Sequence, residues 1–174
     1  MNTILIREAE VKDAAQLSRL SSQLGYPVAE QDLVGYLSAL DQERGHAVFI
    51  SQGEDKQIHG FVHVFVSKRL FLADFAELGG LVVDKGSRGS SHGRKLLNAA
   101  ESWAATWGIR EMRVRSNVIR TEAYKFYLRL GYQEHKQQTQ NVFFHVFLSL
   151  LRRFSLPICT ASRMMVAHSC NEYI

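Results

Sequence analysis

The chain is 174 residues long, 46% hydrophobic and 22% charged, which fits one globular domain able to bury a core. Twelve Gly and two Pro exclude collagen-like and low-complexity readings, and no apolar run approaches the ~18–20 residues that span a bilayer, so no membrane partner is expected. A formal charge of +4 favours anionic partners, but the basic residues are scattered, which argues against nucleic acid and suits a small polyanion such as a nucleotide cofactor.

The N-terminal MNTILIREAE places charge where a signal peptide needs its apolar segment. Cys159 and Cys170 both lie near the C-terminus, where they can neither staple the domain nor build a metal cluster within it. A reducing, cytoplasmic setting is therefore expected. Ile4 to Arg7 alternates as a half-buried strand. Asp13 precedes a helix with Leu17, Leu20 and Leu24 on one face, closed by Gly25, and a second helix is expected from Glu30 to Leu40. Ala47–Ser51 and Ile58–Val66 read as a hairpin about the turn signal Gln52-Gly53-Glu54-Asp55. A connection over 67–77 is expected to lead into the strand Ala76–Asp84, and Arg94–Trp107 is a helix that Gly108 ends. Met112 to Ser116 is another strand, and Thr121 is a good N-cap for a helix that runs to Gly131. Residues 132–148 hold two more strand candidates. From Ser149 on no period is legible, so 3–148 is expected to be the domain and 149–174 a tail without an assigned role. The apolar Val142–Leu151 stretch could pair between two chains as a homodimer.

Chemistry concentrates in two segments. Leu81-Val82-Val83-Asp84 leads into Arg88-Gly89-Ser90-Ser91-His92-Gly93-Arg94 at a helix start. Small residues there let backbone N–H groups turn toward a bound group, and the helix's first amides have no internal partners, so the segment can hold a diphosphate. Mere chain reversal is the competing reading. The segment is not a P-loop, because no Gly-Lys-Ser/Thr follows, and it is a poor dinucleotide fingerprint. The second segment is Asn117 followed by Ala123-Tyr124-Lys125-Phe126-Tyr127-Leu128-Arg129-Leu130-Gly131-Tyr132, in which Ala123, Phe126, Leu130 and Tyr127 are most simply core. The histidines show no metal-ligand spacing with acidic partners, so no metal is expected, and His59 and His63 would share a face of a regular strand.

Together these segments resemble the GNAT superfamily of acetyl-CoA-dependent N-acetyltransferases, which pairs an Arg-x-x-Gly-x-Gly/Ala loop at a helix start with a later Asn and a Phe-Tyr-x-x-x-Gly-Phe/Tyr helix exit. The order of elements over residues 3–148 also matches. Ser91 stands where the family usually has its first loop glycine, and His92 replaces an aliphatic residue. A positive φ at position 91 would cost Ser what it does not cost Gly.

The resemblance implies an α/β (α+β) fold, with a mixed, mainly antiparallel sheet of six or seven strands flanked by helices on both faces. It implies acetyl-CoA as cosubstrate. Leu81, Val82 and Val83 would pair with the pantetheine arm, Arg88, Gly89, Ser90, Ser91, His92, Gly93 and Arg94 would wrap the pyrophosphate, and Asn117 and Tyr124 would contact the cofactor from across the cleft. Tyr127 would protonate the departing thiolate. Glu77, on the strand upstream of the loop, is the candidate base, against its plainer reading as an exposed strand carboxylate. With both cysteines in the tail, direct transfer in a ternary complex is expected. The acceptor, a small-molecule or protein amine, is not written in the sequence. Glu30, Asp32, Asp41, Glu43, Asp74 and Glu77, around a site built from residues 14–40 and 67–77, favour a cationic one. The rival reading is a non-catalytic module that binds a coenzyme or a protein partner through the same cleft.

Overall fold

The computed structural model describes residues 3–40, 43–117, 119–138 and 141–147. In chain order the elements are β1 (Leu5–Glu8), α1 (Ala14–Leu24), α2 (Glu30–Leu40), β2 (His46–Gln52), β3 (Ile58–Arg69), β4 (Leu72–Val83), α3 (His92–Thr106), β5 (Glu111–Asn117), α4 (Thr121–Arg129), β6 (Gln133–Gln138) and β7 (Asn141–Phe147), with short 3-10 turns before α1 and after β4. Among the described residues the strands form one seven-stranded sheet in the order β1-β2-β3-β4-β5-β7-β6. All neighbours are antiparallel except β4 and β5.

Helices cover both faces of this sheet. Leu96, Leu97, Ala100 and Ala104 recur at three- and four-residue spacing along α3, the period of one helix face, and are fully buried against Val62, Val64, Ala76, Leu78 and Met112. α4 joins this layer through Tyr127, which packs with Tyr132 and Phe144. On the opposite face Leu17 and Leu20 of α1 and Leu37 of α2 cover Ile50, Ile58 and Val82. No helix among the described residues is long and apolar enough to cross a membrane.

Several expectations need correction. Residues 67–77 are not a connection: β3 runs on to Arg69, turns at Leu70 and Phe71, and β4 begins at Leu72, with Arg69 opposite Leu72. Turn chemistry gave no signal here, because two-residue hairpin turns usually carry Gly, Asn or Asp. Thr121 is the first helical residue of α4 and Arg120 occupies the cap. A register shift between Ser51 and Gln52 makes His59 the extra residue of a bulge, so β3 is not regular there. His59 consequently packs on His92 of α3, while His63 lies on the other face beside His46. Both edges of β7 are taken, by β5 and β6, which closes edge pairing between chains through 142–147. Residues 148–151 and the 149–174 tail lie outside the described residues.

Candidate active site

The site begins where β4 stops pairing. β4 and β5 are in register only over Ala76–Met112, Glu77–Arg113 and Leu78–Val114. β3 stays paired with β4 as far as Gly60–Val83, with a register shift at His63/Val64 that makes Gly79 the extra residue of a bulge. Beyond Leu78, β5 pairs onward with β7 alone, through Asn117. A gap therefore opens between the parallel strands, and the edge of β4 over Gly80–Val83 that faces away from β3 has no partner strand among the described residues. Leu81, Val82 and Val83 lie on that edge, as expected.

Past Val83 the edge runs into the expected loop. Asp84 anchors it: its carboxylate accepts from Arg19 and Gln23 of α1 and from the amide of Gly86. These donors, the Arg19 guanidinium foremost, hold the Asp84 pKa down to about 2. Gly89 takes φ +80°, the conformation only glycine adopts freely, and Ser91 sits at φ −74°. The strain foreseen for Ser91 is absent; the turn places its positive φ at Gly89. No backbone amide from Arg88 to Arg94 donates to an acceptor among the described residues. Such a run of free donors, ending in the first turn of α3, is an anion cradle. The side chains of Arg88 and Arg94 are exposed beside it, whereas Lys95 turns toward the carbonyl of Ile4.

α3 and α4 are held together at the head of this cradle. A Cβ on Gly93 would stand 3.2 Å from Phe126 and 3.5 Å from Val83, so any larger residue would make the Phe126 ring give by a few tenths of an ångström. His92, expected in the cradle, contributes its backbone there, while its ring is buried against His59 and its Nδ1 has no partner among the described residues. Burial, with the charges of His59 and Lys95, pushes its pKa down.

The far wall comes from β5 and α4. The Asn117 side-chain carbonyl accepts from Ile119 N at 3.0 Å, turning the chain into α4 and leaving its amide nitrogen uncommitted among the described residues. The Tyr124 hydroxyl donates to Glu134 at 2.9 Å, and its ring packs edge-on against Phe144 with centroids 5.2 Å apart. Tyr127 is only 7% exposed and its hydroxyl has no hydrogen-bond partner among the described residues. Burial pushes its pKa well above the ordinary value, with a smaller opposite pull from Arg120 at the start of α4.

Two features escaped the sequence reading. Arg120 crosses from the start of α4 to donate to the carbonyl of Leu24 at 2.7 Å, completing the C-terminus of α1 above Gly80. His46 Nδ1 and His63 Nε2 lie 3.2 Å apart, with Glu43 3.7 Å from His46. Both depend on strand and helix pairings that no local pattern encodes. Glu77 shares the face of His63; its carboxylate lies 3.4 Å from Arg115 and 4.0 Å from Arg69. Of the other acidic residues expected near an acceptor, Glu30, Asp32, Glu43 and Asp74 are exposed, and Asp41 lies outside the described residues.

Comparison with known proteins agrees with this architecture. The Acetyltransferase (GNAT) domain family matches residues 43–134. Among solved structures, the Salmonella typhimurium protein yncA, determined with its cofactor acetyl-CoA, superposes with a TM-score of 0.73 at 18% identity, covering 87% of this chain and 97% of its own. The PaiA N-acetyltransferase of Thermoplasma acidophilum, in complex with coenzyme A, gives 0.69 at 18% identity over 83% of this chain and 99% of its own. An acetyltransferase of the GNAT family from Streptococcus pneumoniae gives 0.68 at 19% identity, with 83% and 99% covered. A search of curated proteins finds no significant match. A strand pair that parts at a bulge, an amide cradle at the following helix and a family match over more than half of its length identify this chain as a member of the GNAT acetyltransferase family.

Proposed function

We propose that the chain is an N-acetyltransferase that moves the acetyl group of acetyl-CoA to a primary amine by direct attack in a ternary complex. One observation supports this most: the unpaired edge of β4 leads without interruption into the free amides of Arg88 to Arg94. Acetyl-CoA, when bound, supplies an acetyl group already activated as a thioester. The amides of Arg88 to Arg94 hold the diphosphate, with the Arg88 and Arg94 side chains adding charge, and the main chain of Leu81 to Val83 pairs with the pantetheine arm. Asn117 and the ring of Tyr124 contact the same ligand from the β5 side. A backbone N–H beside the bulge can stabilise the carbonyl oxygen as it gains charge.

Tyr127 gives its hydroxyl proton to the departing sulfur. Its raised pKa keeps that proton in place until it is needed, and Arg120 is the cation that eases the phenolate left behind. Glu77 takes the proton lost by the amine nitrogen, directly or through water, once Arg115 or Arg69 releases it. The sequence holds its only cysteines at positions 159 and 170, outside the catalytic elements, so an acetyl-cysteine relay is not proposed.

The test is calorimetric titration with acetyl-CoA followed by a thiol-release assay across primary amines. Binding with turnover of at least one amine is expected. Binding without turnover across the set would leave a coenzyme-binding module instead, and no binding would remove both readings.

A further inference from the structure

α2 buries only Leu37 among its residues, although Leu33, Tyr36, Ala39 and Leu40 also border a space beneath it, Tyr36 and Ala39 from exposed positions. The space beneath is a cavity of about 410 Å³ between α1, α2 and the β2–β3 face, walled mainly by Leu17, Leu33, Leu37, Val48 and Phe61. That volume is in the range of small-molecule sites. Its polar groups include His63 and Glu43, joined through His46.

The cavity's position relative to the cleft matters more than its size. The gap between β4 and β5 closes at Leu78, so a chain laid along β4 from the amide cradle ends beside Gly79. His63 Nδ1 is 2.7 Å from where a Cβ on Gly79 would stand, so its ring lies against the bulge and lines the cavity at once. Resting on the acetyltransferase reading, we propose that the acceptor is a primary amine with one apolar arm, alkyl or aryl, which lodges in this cavity with its nitrogen at His63. Burial and His46 hold the imidazole neutral, its pKa lowered to about 4, and in the tautomer whose Nε2–H donates to His46 Nδ1 its own Nδ1 accepts an N–H without repelling an ammonium. Glu43 supplies the nearby negative charge. A polyamine fits poorly, because Glu43 is the one carboxylate among the wall residues and serves the first ammonium, which leaves a second against Leu33, Leu37 and Phe61. The broad preference for a cationic acceptor thus narrows to a single charge at one end.

The experiment measures binding of butylamine, hexylamine, 2-phenylethylamine and hexamethylenediamine by ligand-observed NMR, with and without acetyl-CoA, alongside an acetyl-CoA titration. Affinity should rise about three- to fourfold per added methylene from butylamine to hexylamine. Hexamethylenediamine should bind at least tenfold more weakly than hexylamine. Ala39→Trp, at an exposed position on the cavity wall, should lower hexylamine affinity about tenfold while leaving acetyl-CoA affinity and thermal stability unchanged. A diamine equal to or better than hexylamine, no rise with chain length, or no amine bound by a protein that binds acetyl-CoA would each overturn the proposal. Amine binding in the expected order without acetyl-CoA binding would keep the cavity assignment and discard the acetyltransferase reading.

Discussion

The two faces of the sheet are built to different tolerances. Under α3, the side chains of Leu96, Leu97, Ala100 and Ala104 are at most 1% exposed and leave no room for a ligand. Under α2, one buried leucine holds the helix and a cavity remains. The close-packed face fixes the β4 exit, the loop before α3 and Tyr127 relative to one another, whereas the loose face leaves open the side where the proposal seats the acceptor. A shared cofactor demands the first arrangement, and a chain-specific substrate exploits the second.

Truncating each layer should expose the contrast most strongly. Leu97→Ala is expected to cost about 2–5 kcal/mol in denaturant unfolding, from lost burial plus a cavity that rigid neighbours cannot close. Leu33→Ala, half-buried in the cavity wall, should cost under about 1 kcal/mol. Equal losses would erase the distinction. A subtler probe leaves the packing alone: Tyr127→Phe keeps the ring but removes the hydroxyl. Turnover should fall about a hundredfold with acetyl-CoA affinity nearly intact. Unchanged turnover would return Tyr127 to a purely packing role.

The smallest effect concerns the anchor between the two regions. Asp84 ties the end of β4 to α1, and its pKa is depressed from 3.8 to about 2. Because the folded form favours the carboxylate, its contribution is present above pH 3.8 and disappears as pH falls through about 2. Asp84→Asn should lower stability at neutral pH by about 1 kcal/mol, the partners being partly exposed, and should flatten the acid limb of the stability curve. An acid limb identical to wild type would show that the anchor carries no weight.

Most of the scaffold was legible because its signals are local. Alternation marked β1 and β5, the turn signal Gln52-Gly53-Glu54-Asp55 marked the β2–β3 hairpin, helical period marked α1, α2 and α3, and the small residues from Arg88 to Gly93 marked the loop before α3. The β3–β4 turn was missed because Leu70 and Phe71, 90% and 89% exposed, occupy positions where turn residues were sought. The bulges at His59 and Gly79 were invisible for a related reason: a register shift is a property of two strands, and one strand's sequence does not declare it. His46 and His63 meet diagonally across β2 and β3, and Arg120 reaches Leu24 across the molecule. Such long-range pairs complete the site and come only with the fold. Glu77 was singled out by its place on β4, and its ties to Arg115 and Arg69 come only with the fold.

The central claim is that free amides at the head of α3 grip a diphosphate beside an unpaired strand edge. Titrating the nitrogen-15-labelled protein with coenzyme A, and following each backbone amide by NMR, reads those groups one by one. The largest shifts should fall on Arg88 to Arg94 and on Leu81 to Val83, with the α2 amides nearly still. Shifts concentrated elsewhere, or a loop from Arg88 to Arg94 that does not respond at saturating coenzyme, would contradict the account.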